Sequence, residues 1–411
     1  IEALLKGIYS SNVVSKVNDD NEFVDANKIT LNVLKNKLVA ESNGKYIVSY
    51  APITDKYIDE LEYDCINPGK ITVNALELIA VLEAFPPNEK VKFKYNNGEL
   101  LIQSSFDKER EQSVSIMSED VELPMIAPEY NKITKVDRET FIKGVKKVKF
   151  AMGFARTNRK YMCLIMQAIG DKLRFMAGSG GRFAIDDIYG DTVVQKTKDE
   201  TYVFPRESID AIEKILSKAS CDYVTIKEAP ENINNKQNPA QIVIEYDEQL
   251  LVLVGLNTAG KPQEVDKFLN ATYENTIATR AQDWQYIVKG IKASDTYEYR
   301  DSHDIHNTRI ENDKQNNKIL VKTLTKKLCK AKITVEVKED MKEGGYFHCN
   351  SIYIQEMINS CENKSEVITM KYDNYKEGEK SRPVLVEYED IVNRSKNTIE
   401  KFKLLFAMSV E

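Results

Sequence analysis

The chain contains a threefold internal repeat, and this feature limits its fold more than any other. Segments 4–8, 141–145 and 287–291 share one pattern, in which two apolar residues precede lysine, glycine and an aliphatic residue. A pattern that recurs at nearly constant spacing predicts tandem copies of one structural unit. Each copy must then contain the same elements in the same order.

Each copy of this pattern lies in a predicted amphipathic helix. Phe141, Val145 and Val148 recur at helical spacing, as do Trp284 and Val288, so each set falls on one helical face. We expect these faces to be buried in a core. The lysines of the same segments then fall on the opposite, solvent-facing side of the helix.

A second helix follows in each copy. Segments 70–85, 202–218 and 346–360 each read as a strand end that leads into a helix, and a short alternating segment that predicts a strand comes next. In the middle copy Ile209 and Ile212 mark the buried face, while Lys214 points away from it.

Strands fill the sequence between the two helices of a copy, and hairpins close each copy. The Asn-Asn-Gly-Glu run at 96–99 supplies the glycine that a tight turn favours. The predicted fold class is therefore α+β, with three tandem domains that each pack two helices on antiparallel sheet. We place these domains at residues 1–133, 134–274 and 275–411.

The composition fits a folded protein without a membrane anchor. A chain of 411 residues with 42% apolar content can bury several cores. No apolar run is long enough to span a bilayer, and the first residues lack the pattern of a signal peptide. We therefore expect a cytoplasmic protein that does not contact membranes.

Metal and cofactor sites are not predicted. The six cysteines form no Cys-x-x-Cys pair, and His303 and His306 lie in a polar segment without a nearby cysteine. The net charge of -6 argues against a surface that is basic all over. It is compatible with a protein that gathers its lysines on one inner surface.

The three units resemble the bacterial beta sliding clamp, the DNA polymerase III beta subunit family, over essentially the whole chain. The most specific match is in the second unit, where the family has a strand followed by Thr-Asp-Gly-His-Arg-Leu-Ala. This chain has there Gly178, Ser179, Gly180, Gly181, Arg182, Phe183 and Ala184. The final apolar segment 404–408 is similar too, with Ala407 in place of the family's proline.

The resemblance implies a non-enzymatic processivity factor. Two chains would join head to tail into a ring around duplex DNA, bind it without reading its sequence, and tether a replicative polymerase. Polymerase and clamp loader would dock through short linear motifs, and the protein would act in the cytoplasm, at the nucleoid. The altered residues fit a divergent clamp, such as one from a phage or plasmid. The family also has a strand ahead of the first helix, which the resemblance places before residue 1.

Two sets of site residues follow from the resemblance. The DNA-facing helices would carry Lys6, Lys143, Lys146, Lys147, Lys214, Lys218, Lys289 and Lys292. For any one of these, the alternative is an ordinary solvated lysine, since exposed helix faces are usually charged. The partner-peptide pocket between the second and third domains would comprise Met162, Gly178, Gly180, Arg182, Phe183, Pro262, Pro383, Leu405, Phe406 and Met408.

Two other functions stay open at this point. A nucleotide-cofactor enzyme could use the glycine-rich loop 178–181, although its glycines do not follow the Gly-x-Gly-x-x-Gly spacing and the next segment alternates as a strand does. A structural repeat protein without a DNA partner would show the same threefold pattern. No phosphate-loop, zinc-protease or hydrolase motif occurs.

Overall fold

A computed structural model gives the fold of the chain. It describes residues 5, 8, 28–43, 47–53, 63–87, 89–107, 110–119, 129–153, 163–179, 181–196, 198–230, 241–254, 265–295, 307–316, 318–323, 332–336, 345–374, 382–393 and 398–406. These residues form two compact units, one made of Ile1–Ile142 and Val194–Ala259 and the other of Lys143–Val193 and Gly260–Glu411. The division into three domains stays a prediction.

The described strands and helices follow one another along the chain in a fixed order. Up to residue 137 they are β1 (Lys28–Val33), β2 (Leu38–Asn43), β3 (Ile47–Ile53), β4 (Gly69–Asn74), α1 (Ala75–Glu83), β5 (Val91–Asn96), β6 (Glu99–Asp107), β7 (Arg110–Glu119) and β8 (Lys132–Asp137). From 138 to 254 they are α2 (Arg138–Val148), β9 (Cys163–Ile169), β10 (Lys172–Ser179), β11 (Arg182–Tyr189), β12 (Val193–Lys196), β13 (Glu200–Pro205), α3 (Arg206–Leu216), β14 (Tyr223–Ala229), β15 (Gln241–Tyr246) and β16 (Gln249–Val254). The rest are α4 (Asp266–Leu269), β17 (Asn275–Arg280), α5 (Ala281–Asp295), β18 (Asn307–Asp313), β19 (Lys318–Thr323), β20 (Lys332–Glu336), β21 (Tyr346–Asn350), α6 (Ser351–Ser360), β22 (Val367–Tyr372), β23 (Val384–Asn393) and β24 (Thr398–Phe406).

The predicted repeat of strand, helix and strand is confirmed. It occurs as β4–α1–β5, as β13–α3–β14 and as β21–α6–β22. The other predicted helices are α2 and α5, and each directly follows a strand. In the first copy of the repeat, the helix that corresponds to α2 and α5 is represented by Leu5 and Ile8. Both residues are helical, and Ile8 is fully buried.

Two antiparallel meanders recur along the chain. One comprises β1–β2–β3, β9–β10–β11 and β18–β19–β20. The other comprises β5–β6–β7, β14–β15–β16 and β22–β23–β24. The order of pairing is thus the same in all three parts of the sequence.

The first unit contains one twelve-stranded sheet, in the order β12-β8-β14-β15-β16-β3-β2-β1-β4-β7-β6-β5. The N-cap of its helix α1 is Asn74, whose side chain accepts hydrogen bonds from the backbone N–H groups of Leu76 and Glu77, as N-cap residues commonly do. Leu78 and Leu82 on the inner face of α1 are fully buried. They belong to a core that includes strand residues from β1 to β7.

The second unit contains two sheets. Seven of its strands run in the order β9-β10-β11-β24-β23-β22-β17, and four others run in the order β20-β19-β18-β21. The predicted buried faces of α2 and α5 are confirmed for Val145, Val148 and Trp284, which are almost fully buried. The 96–99 turn is confirmed as well, because Asn97 and Gly98 have φ of 51° and 86°, values that a tight hairpin turn requires at both central positions.

Candidate functional sites

Four of the predicted lysines lie on exposed helical surface. Lys146 of α2, Lys214 of α3, Lys218 just beyond α3 and Lys289 of α5 are all exposed. The ammonium of Lys289 lies 5.8 Å from the ring centroid of Tyr286, which is 67% exposed. Lys6 and the side chain of Lys292 fall outside the described residues.

The prediction of a solvent-facing position for Lys147 is wrong. Its side chain is 3% exposed, and its nitrogen lies 2.5 Å from Oε1 of the fully buried Glu400. Lys143 is 20% exposed and lies 2.8 Å from Glu362 and 3.8 Å from Glu400. Helical periodicity gave the side of α2 on which these lysines lie, but it could not show that β24 covers that side.

The exposed faces of the other helices carry few positive charges. On α1 the exposed polar residues include Glu77 and Glu83. On α6 Ile352 and Asn359 are exposed, and neither is charged. Helix α3, with Lys214 and the adjoining Lys218, is therefore the most basic of the second helices of the repeat.

Gly178, Phe183 and Leu405 lie side by side on one face of the sheet. Gly178 pairs with Phe183 across β10 and β11, and Phe183 pairs with Leu405 across β11 and β24, and directly paired residues point to the same side. A Cβ on Gly178 would come within 2.2 Å of the Phe183 ring. The glycine therefore lets this ring lie across the neighbouring strand.

Arg182 lies on the opposite face of the sheet. Its Nη1 donates to both carboxylate oxygens of Glu356, at 2.8 Å and 2.7 Å, and its Nη2 donates to the carbonyl of Phe150 at 2.6 Å. The ring of Tyr353 lies 5.6 Å from the guanidinium carbon. The sequence predicted Arg182 as a partner-binding residue, yet its guanidinium already binds a carboxylate of this chain.

The predicted pocket is therefore corrected in its composition. Phe406 pairs with Arg182 and is fully buried. The centroid of its ring lies 5.7 Å from that of the Tyr353 ring and 6.3 Å from that of the Phe347 ring. Phe406 is a core residue and not a binding surface. Pro383 is partly buried and precedes Val384, which pairs with Phe406. Four predicted members lie outside the described residues, namely Met162, Gly180, Pro262 and Met408.

The Arg182–Glu356 pair is partly buried, and this changes the acidity of Glu356. Burial raises the pKa of Glu356 to about 7, although the Arg182 charge and hydrogen bond lower it. Burial likewise raises the pKa of Tyr353, again opposed by Arg182. The charge of Glu356 thus changes near neutral pH.

Sequence reasoning missed the acidic residues Glu356, Asp186 and Glu400. Asp186 and Asp187 point to opposite faces of β11, because Asp187 accepts hydrogen bonds from Arg174 while Asp186 meets Glu400. The sequence did contain a signal for Asp186. It is a charged residue among the apolar residues Ala184, Ile185 and Ile188, at a position that strand alternation places in the core.

The glycine-rich loop does not lead into a helix. A dinucleotide-binding unit requires a helix whose N-terminus holds the phosphates, whereas residues 182–189 form strand β11. Within the described residues no three histidine, cysteine, aspartate or glutamate side chains are grouped as metal ligands would be. His303 and His306 lie outside those residues. Among the described helices none is long and apolar enough to cross a membrane.

Corresponding strands pair at two places in the chain. In the first unit β3, the last strand of its meander, pairs antiparallel with β16. In the second unit β11, which holds the same place in its own meander, pairs antiparallel with β24. Strand β20 holds the same place in its meander as β3 and β11 do in theirs. Strand β7 holds the same place in its meander as β16 and β24 do in theirs.

Both β20 and β7 have an open edge in the described part of the chain. Strand β20 pairs with β19 alone and ends its sheet. Strand β7 pairs with β6 along its length, and with β4 only at Ser118 and Glu119. Met117 in β7 is 64% exposed.

Comparison with solved structures identifies the class of fold as that of DNA sliding clamps. A putative DNA polymerase III beta subunit from Eubacterium rectale matches with a TM-score of 0.75 and 14% identity, covering 99% of this chain and 97% of that chain. The DNA polymerase sliding clamp from Caulobacter crescentus matches with a TM-score of 0.76 and 16% identity, covering 100% and 98%.

The particular fold is thus that of the DNA polymerase III beta subunit. A further structure of this subunit, from Pseudomonas aeruginosa, has a TM-score of 0.77 and 13% identity, with 100% of this chain and 98% of that chain covered. No protein-family sequence model matches the chain, and no curated protein has a significantly similar sequence. The chain therefore has this fold although comparison of sequences alone finds no matching family model or curated protein.

Proposed function

We propose that this chain is a DNA sliding clamp, a non-catalytic processivity factor that encircles duplex DNA in the cytoplasm. The observation that carries the proposal is the match of the whole chain to beta-subunit structures. The absence of a helix after the glycine loop disfavours the nucleotide-enzyme alternative. Three domains at 1–133, 134–274 and 275–411 are part of the proposal.

The ring would consist of two chains joined head to tail. Strand β3 pairs with β16, and β11 pairs with β24. In both cases a sheet of one copy of the repeat is extended by a strand of the next copy. By the same rule β20 of one chain would pair with β7 of a second chain. This association would cover the open edge of both strands, which otherwise favours unspecific pairing.

DNA would be bound through phosphates and held by topology. Exposed lysines on α2, α3 and α5 can meet phosphates without reading bases, which gives contacts that depend on salt and not on sequence. Because a closed ring cannot leave DNA sideways, a small number of such lysines is sufficient. An overall charge of -6 is then no obstacle.

A polymerase and a clamp loader would dock on the sheet face that carries Gly178, Phe183 and Leu405. Phe183 is 6% exposed and Leu405 is 4% exposed, so a partner peptide would meet only their edges unless Met162, Gly180, Pro262, Pro383 or Met408 completes the surface. Aromatic and aliphatic anchors of this kind dominate peptide recognition where they occur.

The experiment uses linear DNA with biotin at both ends. Purified protein threads onto the free ends, streptavidin then blocks them, and the complex is washed in high salt. A clamp stays on the blocked DNA and is released when a restriction enzyme cuts it. A structural repeat protein without a DNA partner is washed off before cutting.

The same blocked DNA tests partner docking. We expect the replicative polymerase of the same host to stay on DNA that carries the wild-type ring, and to be lost from DNA that carries Phe183→Ala. The variant ring itself should remain in place, which separates partner binding from encirclement. Equal polymerase retention on both rings would contradict the proposed docking face.

A further inference from the structure

Buried charges are concentrated where helix α2 covers strands β11 and β24 of the second unit. Asp186 of β11 and Glu400 of β24 are fully buried. Across the two strands Ile188 pairs with Glu400 and Phe402 pairs with Asp186. The two carboxyl groups are therefore diagonal neighbours on the same face of the sheet. Lys147 of α2 reaches into this face and contacts Glu400.

The buried carboxyl groups outnumber the buried ammonium groups. Lys147 is the buried cation, whereas Lys143 is partly exposed and also binds Glu362, whose side chain is 62% exposed. Asp187 faces away from the cluster and is held by Arg174. The titratable and charged groups around Asp186 in the described part of the chain are Glu400, Lys147, Lys143, Glu362, Tyr388, Cys361 and Asp187.

Asp186 lacks a donor that would stabilise its charge. Neither of its oxygens accepts a hydrogen bond from a donor among the described residues, and the group that its carboxyl meets is the carboxylate of Glu400. An ionised Asp186 would thus be an uncompensated buried charge beside a second negative charge, which is strongly unfavourable. A protonated Asp186 would instead be a hydrogen-bond donor to Glu400.

We propose that Asp186 carries a proton in the folded protein and donates it in a hydrogen bond to Glu400, which also forms an ion pair with Lys147. The cluster is then one neutral acid and one balanced ion pair. Burial and the neighbouring Glu400 raise the pKa of Asp186 well above its usual value, against the opposing effect of Lys147. Burial lowers the pKa of Lys147, whereas the charge and hydrogen bond of Glu400 raise it, and the net direction is upward, so the lysine stays charged.

The proton links the stability of this junction to pH. A carboxyl group whose pKa is raised on folding stabilises the native state fully below its unfolded pKa, about 3.9 for aspartate. This stabilisation is lost as pH rises towards the folded pKa, because the unfolded chain releases its proton first. Between these two pKa values the contribution of Asp186 to the unfolding equilibrium constant rises about tenfold per pH unit.

The test compares wild type with Asp186→Asn, an uncharged variant of the same shape that can still donate to Glu400. We expect the unfolding constant of wild type, divided by that of D186N, to rise with pH from about pH 4 upward. D186N should therefore be the more stable protein at neutral pH. A ratio that is independent of pH, or that falls as pH rises, would overturn the proposal.

Asp187→Asn is the matched control, because it changes the adjacent residue in the same strand. It loses the charge that accepts two hydrogen bonds from Arg174, so it should be less stable than wild type at neutral pH.

Infrared spectroscopy provides a direct readout of the proton on Asp186. At neutral pH Glu356, whose pKa is raised to about 7, contributes to the carbonyl stretch of protonated carboxyl groups in all three proteins, so the readout is the difference between spectra. We expect wild type and D187N to show a carbonyl-stretch component that D186N lacks. Identical spectra of wild type and D186N in this region would also overturn the proposal.

Discussion

Gly144 shows what the glycine after lysine does in the middle copy of the repeated motif. A Cβ at Gly144 would come within 2.1 Å of the Phe175 ring, and Phe175 is fully buried in β10. The absence of a side chain therefore lets α2 pack directly against this ring. In the middle copy the glycine of the motif is thus a packing requirement.

We expect Gly144→Ala to destabilise the protein by about 1–3 kcal/mol, as overpacking of a filled core does, even though alanine favours a helix more than glycine does. Gly69→Ala is the control, because no atom lies within 4 Å of a Cβ at that position. Chemical denaturation measures both changes. An equal effect of the two substitutions would contradict the packing argument.

At the level of single residues, sequence predicted the burial of side chains better than their partners. Phe141, Val145 and Ile209 are buried, as helical spacing indicated. Lys147 is buried too, contrary to prediction, because its partner Glu400 comes from a strand far away in the sequence. Spacing within one helix gives the faces of that helix but not the element that covers them.

At the level of elements, the order of strands and helices could be predicted and their pairing could not. Alternating and helical periodicity gave β13–α3–β14 and its two equivalents. The pairing of β11 with β24 could not be predicted from the residues, because both strands are apolar on their buried positions and many registers would satisfy them. For this reason the predicted pocket combined residues from both faces of that strand pair, and as a binding site it stays a prediction.

Helix α3 provides the test of the proposed DNA-facing surface. We expect Lys214→Glu combined with Lys218→Glu to weaken DNA binding, and to lower the slope of log affinity against log salt by roughly 0.9 for each phosphate contact that is lost. The measurement is binding to duplex DNA across a range of salt concentrations.

The control for this variant reverses Lys92 and Lys94, which are exposed on β5. Strand alternation places them on the side away from the helix-covered core, which contains the β6 residues Leu100 and Ile102. This variant has the same net charge as the first one. If both variants lose affinity equally, the effect is one of overall charge and α3 does not face DNA.

At the level of the whole molecule, the open edge of β7 predicts how the proposed ring can be broken. The N–H of Ser118 donates to the carbonyl of Gly98, on the side of β6. Because the N–H direction alternates along a strand, the N–H of Ser115 points to the open edge. Ser115→Pro removes this donor without removing a hydrogen bond to β6.

We expect Ser115→Pro to sediment as a single chain at concentrations where wild type sediments as a pair, and Ser115→Ala to behave as wild type. Loss of the pair would also abolish retention on end-blocked DNA. If Ser115→Pro still forms the pair, β7 is not the joining strand, although a ring joined elsewhere would remain open to test.

The two open edges belong to different strands, and this has a consequence for growth of the assembly. When a second chain pairs its β20 with β7 of a first chain, the β7 edge of the second chain stays free. Each addition therefore leaves an open edge to which the next chain can pair. Such a head-to-tail series ends only when the curvature returns the last edge to the first, and otherwise it continues as a filament. A substitution that altered the angle between neighbouring chains, while leaving both edges intact, would therefore convert the proposed ring of fixed size into a polymer whose length depends on protein concentration.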